Sequence, residues 1–257
     1  MTRPCKFFLF SLMACFTFLS SASAHEFLIK PVQMSVAPDQ KVPFSVMSCH
    51  VFMVSEELEP VDQMDVSLIK DDTITPIKLH PNPTLMTHDG VALSKTEGYS
   101  IIAGHRKGMI WTQTTQGWKQ ASKKGLRGVI ASSKYEKFCK TLIKTGKADH
   151  GYDKIVNDKL EIVPLTDPGT VRMNTDMEFK IIYDGKPLST EVYATYDGFS
   201  ATPNTYAYFT QCNDQGVAKV KITHPGTWMV RVQKTLEQAT EDFDSHVMRA
   251  VLIFEVK

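Results

Sequence analysis

Between residues 159 and 257 short runs of β-branched and aromatic residues recur at close spacing, and a turn signal ends each one. "LEIVPL" (160–165) leads in, and "EFKIIYDGKPLSTEVYATYDG" (178–198) reads as two strands around the turn DGKP. Further strands meet at CNDQG and HPG, and "VMRAVLIFEVK" (247–257) closes the chain. In "VAKVKI" the alternation gives one buried and one wet face. About seven strands in roughly 100 residues, with turns this regular, is the pattern of an immunoglobulin-like sandwich.

Residues 25–131 carry the same signature less regularly. "KVPFSVMSCHVFMV" (41–54) is a long apolar run, consistent with a strand buried on both sides. "MDVSLIK" (64–70) and "TPIKLH" (75–80) alternate around Asp71 and Asp72 as in a hairpin, and "YSIIAGHRKGMIWTQT" (99–114) reads as two strands around GHRKG. One segment reads as a helix: in "SSKYEKFCKTLIKTG", Ser133 and Glu136 form a capping box, and Tyr135, Phe138, Leu142 and Ile143 fall on one face. Cys139 lies beside them as a core residue, and Gly146 is a natural stop. The expected architecture is therefore mainly β. It has two β-sandwich, immunoglobulin-like domains, over 25–131 and 159–257, joined by a short connecting α-helix and linker over 132–158.

Residues 1–24 read as a signal peptide. Arg3 and Lys6 precede the apolar run "FFLFSLMACFTFL", and the small residues "ASA" (22–24) form the cleavage site. A cut after Ala24 makes His25 the first residue of an exported, periplasmic protein. The competing cut lies before Cys15, where "LMAC" resembles a lipoprotein site and would leave His25 inside a tether. No later stretch is long and apolar enough to span a bilayer. Without Arg3 and Lys6 the 29 basic residues fall to 27, against 28 acidic ones. That balance argues against nucleic acid or an anionic membrane surface as the main partner. Cys49, Cys139 and Cys212 remain, too few and too far apart for a disulfide framework or a zinc ribbon.

No phosphate-binding loop, nucleophile elbow, dinucleotide fingerprint or HExxH motif is present. The eight histidines carry what chemistry there is. An N-terminal His25 could grip a metal through its α-amine and Nδ1, with Glu26 as an oxygen donor; the plain alternative is that it merely begins the first strand. His50 sits among Phe44, Val46 and Phe52, so its ring nitrogens need a partner, either a metal or a hydrogen bond. Period-two geometry would put Met47, Cys49 and Met53 on the opposite face from His50, as ordinary core residues more readily than as copper(I) ligands. His105 lies in the turn-like AGHRKGM, exposed beside Gly104, and His88 and His246 are further ligand candidates.

"AHEF" at 24–27, "SCHVFM" at 48–53, "LEIVPLTDP" leading into "FKIIYDGKPLSTEVYAT", the "NDQGVAKVKITHPGTWMVRV" hairpin and the final "RAVLIFEV" together span nearly the whole chain beyond residue 24. They resemble a bacterial family of domains of unknown function linked to cobalt and nickel uptake, described as the periplasmic component of an ABC-type transport system. The resemblance implies two β-sandwich domains and help in delivering a divalent transition metal to a membrane transporter. The family's histidines after the signal and in the early strand map onto His25 and His50. Its later histidine does not map, because Val232, Gln233 and Lys234 occupy that stretch. The combined expectation is a metal site of His25, His50 and His105. It would take nickel or cobalt, with copper and zinc as alternatives, for capture and handover rather than as an enzyme. The rival expectation is a binding or adaptor module without metal.

Overall fold

The structure, a computed structural model, describes residues 25–257; the expected signal peptide lies outside them. The first half of the chain forms β1 (Glu26–Pro31), β2 (Ser35–Val36), β3 (Gln40–Cys49), β4 (Met64–Lys70), β5 (Thr73–Pro76), β6 (His80–Asn82), β7 (Thr87–Ser94), β8 (Gly98–Thr114) and β9 (Gly117–Lys119). The second half forms β10 (Val129–Thr145), β11 (Leu160–Pro164), β12 (Asp176–Tyr183), β13 (Lys186–Pro187), β14 (Glu191–Tyr196), β15 (Tyr208–Gln211), β16 (Val217–Lys221), β17 (Gly226–Glu237) and β18 (Ser245–Val256). The chain is mainly β, as its patterning predicts.

The strands form three sheets. A large central sheet runs β15-β14-β17-β18-β10-β8-β4-β5, with β2 added to β10 and β9 to β8. One outer sheet runs β1-β3-β7-β6, and the other is built on β12, with β11, β13 and β16 paired to it. Alternate residues of a strand face opposite sides, and the central strands use both. On one side Ile101, Phe138, Leu142, Trp228, Val230, Leu252 and Phe254 pack with Leu160, Ile162, Phe179 and Ile181 of the β12 sheet. On the other, Ile102, Cys139, Ile143, Met229, Val251 and Ile253 pack with Phe27, Leu28, Ile29, Phe44 and Val46 of the β1 sheet. The central sheet is thus sandwiched between the two outer ones and shared by both halves of the chain. The expected domain boundary at 131/132 falls within β10.

The expected helix is the innermost strand of this sheet. β10 pairs antiparallel with β8 and parallel with β18. Lys134, Lys137, Lys140 and Lys144 recur at helical spacing and imitate a helix's wet face. In the strand, Lys137 and Lys140 point to opposite sides and both are buried, where Lys137 Nζ meets Glu59 Oε1 at 3.0 Å and Lys140 Nζ meets Glu161 Oε1 at 2.8 Å. Pairing on both edges satisfies the backbone, and the buried carboxylates neutralise the lysines. Tertiary partners, absent from any local pattern, therefore override the capping box. Cys139 is a core residue as expected, but of a strand.

A second correction concerns 99–114. The stretch is one continuous strand, β8, with a bulge in place of the expected turn. Tyr135 pairs with Met109 and Lys137 with Arg106, so Lys107 and Gly108 together oppose Glu136. His105 accordingly lies in a strand. The β4–β5 hairpin turns at Asp71 and Asp72 as the alternation predicts, with Ile69 opposite Ile74, but its second strand is Thr73–Pro76 rather than 75–80, and His80 opens β6 in an outer sheet.

Candidate metal centre

β3 ends at Cys49, and the chain then reverses. Val54 N–H donates to Val51 C=O, and Met53 adopts a left-handed φ of 68°. The returning chain lies along the end of β3, with Glu56 N–H donating to Ser48 C=O at 2.9 Å and the Ser55 hydroxyl to Met86 C=O. His50 and Met53 therefore lie in a turn, and the expected alternation of faces stops at Cys49. Met47, Cys49 and Met53 are buried in the core. The reversal carries Glu56 back onto His50, whose Nδ1 stands 2.8 Å from Glu56 Oε2 and whose N–H donates to Glu56 Oε1 at 3.1 Å.

His25 arrives from the neighbouring strand. β1 pairs with β3 so that Glu26 faces Cys49, which sets the preceding His25 beside His50. The two rings lie with centroids 4.0 Å apart. His25 Nε2 is 3.5 Å from Glu56 Oε2 and its Nδ1 is 3.1 Å from Glu57 Oε2. One donor atom from each of His25, His50 and Glu56 lies within 4.8 Å of the others. Burial, and then the His50 ring, lowers the His25 pKa, keeping an imidazole lone pair free at lower pH. Burial raises the Glu56 pKa, but hydrogen bonds from His50 outweigh it and hold the carboxylate below its ordinary value. Two half-buried imidazoles and an exposed carboxylate, gathered at one point, form a donor set for a borderline divalent ion.

An ionic layer beneath holds the site in place. Glu26 does not serve as an oxygen donor: it is buried and taken up by Arg231 Nε at 3.0 Å and an Arg249 terminal nitrogen at 3.2 Å. Burial works against its charge, but Arg249 and Arg231 prevail and lower its pKa. This ties the start of β1 to β17 and β18. Glu59 ties down the Glu56 segment likewise, accepting from Lys137 Nζ and from the Ser48 hydroxyl, each at 3.0 Å. From the far half of the chain, Asn204 N–H donates to His50 C=O at 3.0 Å.

The structure thus brings His25 and His50 together and sets His105 elsewhere. His105 pairs with Glu136 at 2.7 Å and stacks on Phe138. His88 is buried, its Nε2–H donating to Glu59 C=O at 2.6 Å. Glu56 and Glu57 are the members that pattern reasoning missed. The available signal was "SEELEP" (55–60), three glutamates directly after the histidine-bearing run. The thiols of Cys49, Cys139 and Cys212 are free and buried, and burial pushes Cys49 and Cys139 up to about 12.

No curated protein matches the chain. Among solved structures, the D0–D1 domain of intimin aligns with 12% identity over 91% of this chain and 99% of its own, with a TM-score of 0.23. The ectodomain of mouse nectin-like molecule 4 aligns with 9% identity over 91% of this chain and 65% of its own, TM-score 0.23. The titin I-band fragment I67–I69 aligns with 11% identity over 90% and 66%, TM-score 0.24. TM-scores this low carry no argument about arrangement or function, and the β architecture rests on the strands described above. The model of a domain of unknown function, DUF4198, matches residues 22–235. The chain belongs to that family.

Proposed function

We propose that this protein binds a divalent transition-metal ion through His25, His50 and Glu56 and passes it on, as a periplasmic accessory of nickel or cobalt uptake. The observation that carries the reading is the convergence of these three donors within 4.8 Å, from just before β1, just after β3 and the returning loop. The donor set suits nickel(II), cobalt(II), copper(II) and zinc(II). The resemblance to the cobalt and nickel uptake family favours the first two and a membrane transporter as recipient. The role is capture rather than catalysis. Cleavage after Ala24 would add the α-amine of His25 as a further nitrogen donor.

Calorimetric titration of the chain beginning at His25 with each of the four ions tests this. The expected result is a saturable site that His50→Ala weakens at least tenfold with the circular dichroism spectrum unchanged. Weakening on placing one residue before His25 is expected if the amine ligates; undiminished affinity removes the amine from the site. Affinity indifferent to His25→Ala and His50→Ala alike overturns the reading.

A further inference from the structure

His25 presents its two ring nitrogens to two different carboxylates. Nε2 lies 3.5 Å from Glu56 Oε2, the same oxygen that His50 Nδ1 approaches to 2.8 Å. Nδ1, across the ring, lies 3.1 Å from Glu57 Oε2. Glu56 and Glu57 are neighbours in the returning loop, so one short segment meets both nitrogens of the imidazole. That segment is fastened on either side of Glu57. The Glu56 N–H donates to Ser48 C=O at 2.9 Å, and buried Glu59 accepts from Lys137 Nζ and from the Ser48 hydroxyl. Glu57 itself stands outside the three-donor group. Its side chain is 46% accessible, against 25% for His25, and it meets the ring nitrogen turned away from Glu56.

A neutral imidazole carries one proton, and the partners of its two nitrogens decide which of them holds it. Burial, and then the His50 ring, lowers the His25 pKa, so the ring is neutral at about pH 8. A lone pair facing a carboxylate oxygen at 3.1 Å is repelled, whereas an N–H there is attracted. The Glu56 oxygen is farther from His25, at 3.5 Å, and already faces His50 Nδ1, so the proton belongs on the Glu57 side. The geometry points to Glu57 as the positioning residue of the site: it holds His25 as the Nδ1–H tautomer, with the Nε2 lone pair turned to where His50 and Glu56 converge. This rests on the metal-binding reading above. A histidine that ligates through one nitrogen characteristically donates from the other to a carboxylate or carbonyl, which fixes the ring and raises its basicity. Nε2 is then the nitrogen that meets the ion. A chelate with the α-amine uses Nδ1 of the same ring, so Glu57 is also the group that such a chelate must displace.

Two measurements on the chain beginning at His25 test this. The first is the ring nitrogen-15 spectrum of chelator-stripped protein at a pH where the ring is neutral. The wild type is expected to carry the His25 proton on Nδ1, the reverse of the Nε2–H form that an unrestrained imidazole favours. Glu57→Ala is expected to restore the Nε2–H form, and Glu57→Gln, whose amide oxygen still accepts, to keep the proton on Nδ1. The second is nickel(II) calorimetry, in which Glu57→Ala should weaken binding about tenfold and Glu57→Gln by less than about threefold. A wild type in the Nε2–H form overturns the proposal, as does a Glu57→Ala protein with an unchanged tautomer or undiminished nickel affinity. A wild type that binds no ion, yet loses its Nδ1–H form in Glu57→Ala, would overturn the site of His25, His50 and Glu56 and leave the hold of Glu57 on His25 standing.

Discussion

Asp158 and Lys140 show how burial turns charged residues into determinants of stability. Burial, and then Glu161, pushes the Asp158 carboxyl from 3.8 up to about 6. The folded chain holds that proton more tightly than the unfolded one. Stability therefore falls as pH rises between about 3.8 and 6, and the contribution is lost above that window. In metal-free protein, Asp158→Asn should raise stability at pH 7 by on the order of 2–3 kcal/mol and leave it little changed near pH 3.5; urea denaturation at the two pH values measures the difference. Lys140 poses the opposite case. Its ammonium is Glu161's ionic partner, and that carboxylate also accepts from the N–H groups of Val156 and Asn157. Lys140→Ala strands a buried charge and should cost about 3–5 kcal/mol. Lys221→Ala, at an exposed position of β16, should change stability by less than about 0.5 kcal/mol. Equal losses from the two lysines would refute the assignment of Lys140 to a buried pair.

At the scale of elements, β10 and β18 carry the fold. They pair parallel from Ser133 with Ser245 to Thr141 with Ile253, and each has a further antiparallel neighbour. Parallel pairing goes with burial on both faces, which the two hydrophobic clusters supply. Strand β5, by contrast, lies at the sheet edge with all four residues exposed. Amide hydrogen exchange should find the β10 and β18 amides the slowest in the chain and those of β5 among the fastest strand amides. Fast exchange across β10 would contradict its central place.

For the whole molecule, the shared sheet couples the halves. Strands from the first half, β4, β5 and β8, lie on one side of β10, and β14, β15, β17 and β18 on the other. Separating residues 25–158 from 159–257 exposes an edge of β10 and of β18 together with the apolar faces behind them. Neither piece is expected to give a dispersed amide spectrum alone, whereas the intact chain should unfold in one calorimetric transition. Two well-separated transitions would show independent halves. The cluster of His25, His50 and Glu56 depends on this architecture, because Glu26 anchors the start of β1 to β17 and β18.

The sequence by itself determined the strand-rich class, the β4–β5 hairpin, the turns of the last hundred residues and the interest of His25 and His50. These are local properties: period-two alternation, turn residues, and a polar ring inside an apolar run. It did not determine that residues 129–145 are a strand, because a helix and a doubly buried strand share the same apolar content. The difference lies in Glu59 and Glu161, which neutralise lysines from distant positions. Nor did it determine that Glu56 joins His25 and His50, or that His105 pairs with Glu136. Those groupings depend on strand register and on a bulge, which only the packed sheets decide, because side chains remote in sequence meet only after the chain has committed its hydrophobic faces.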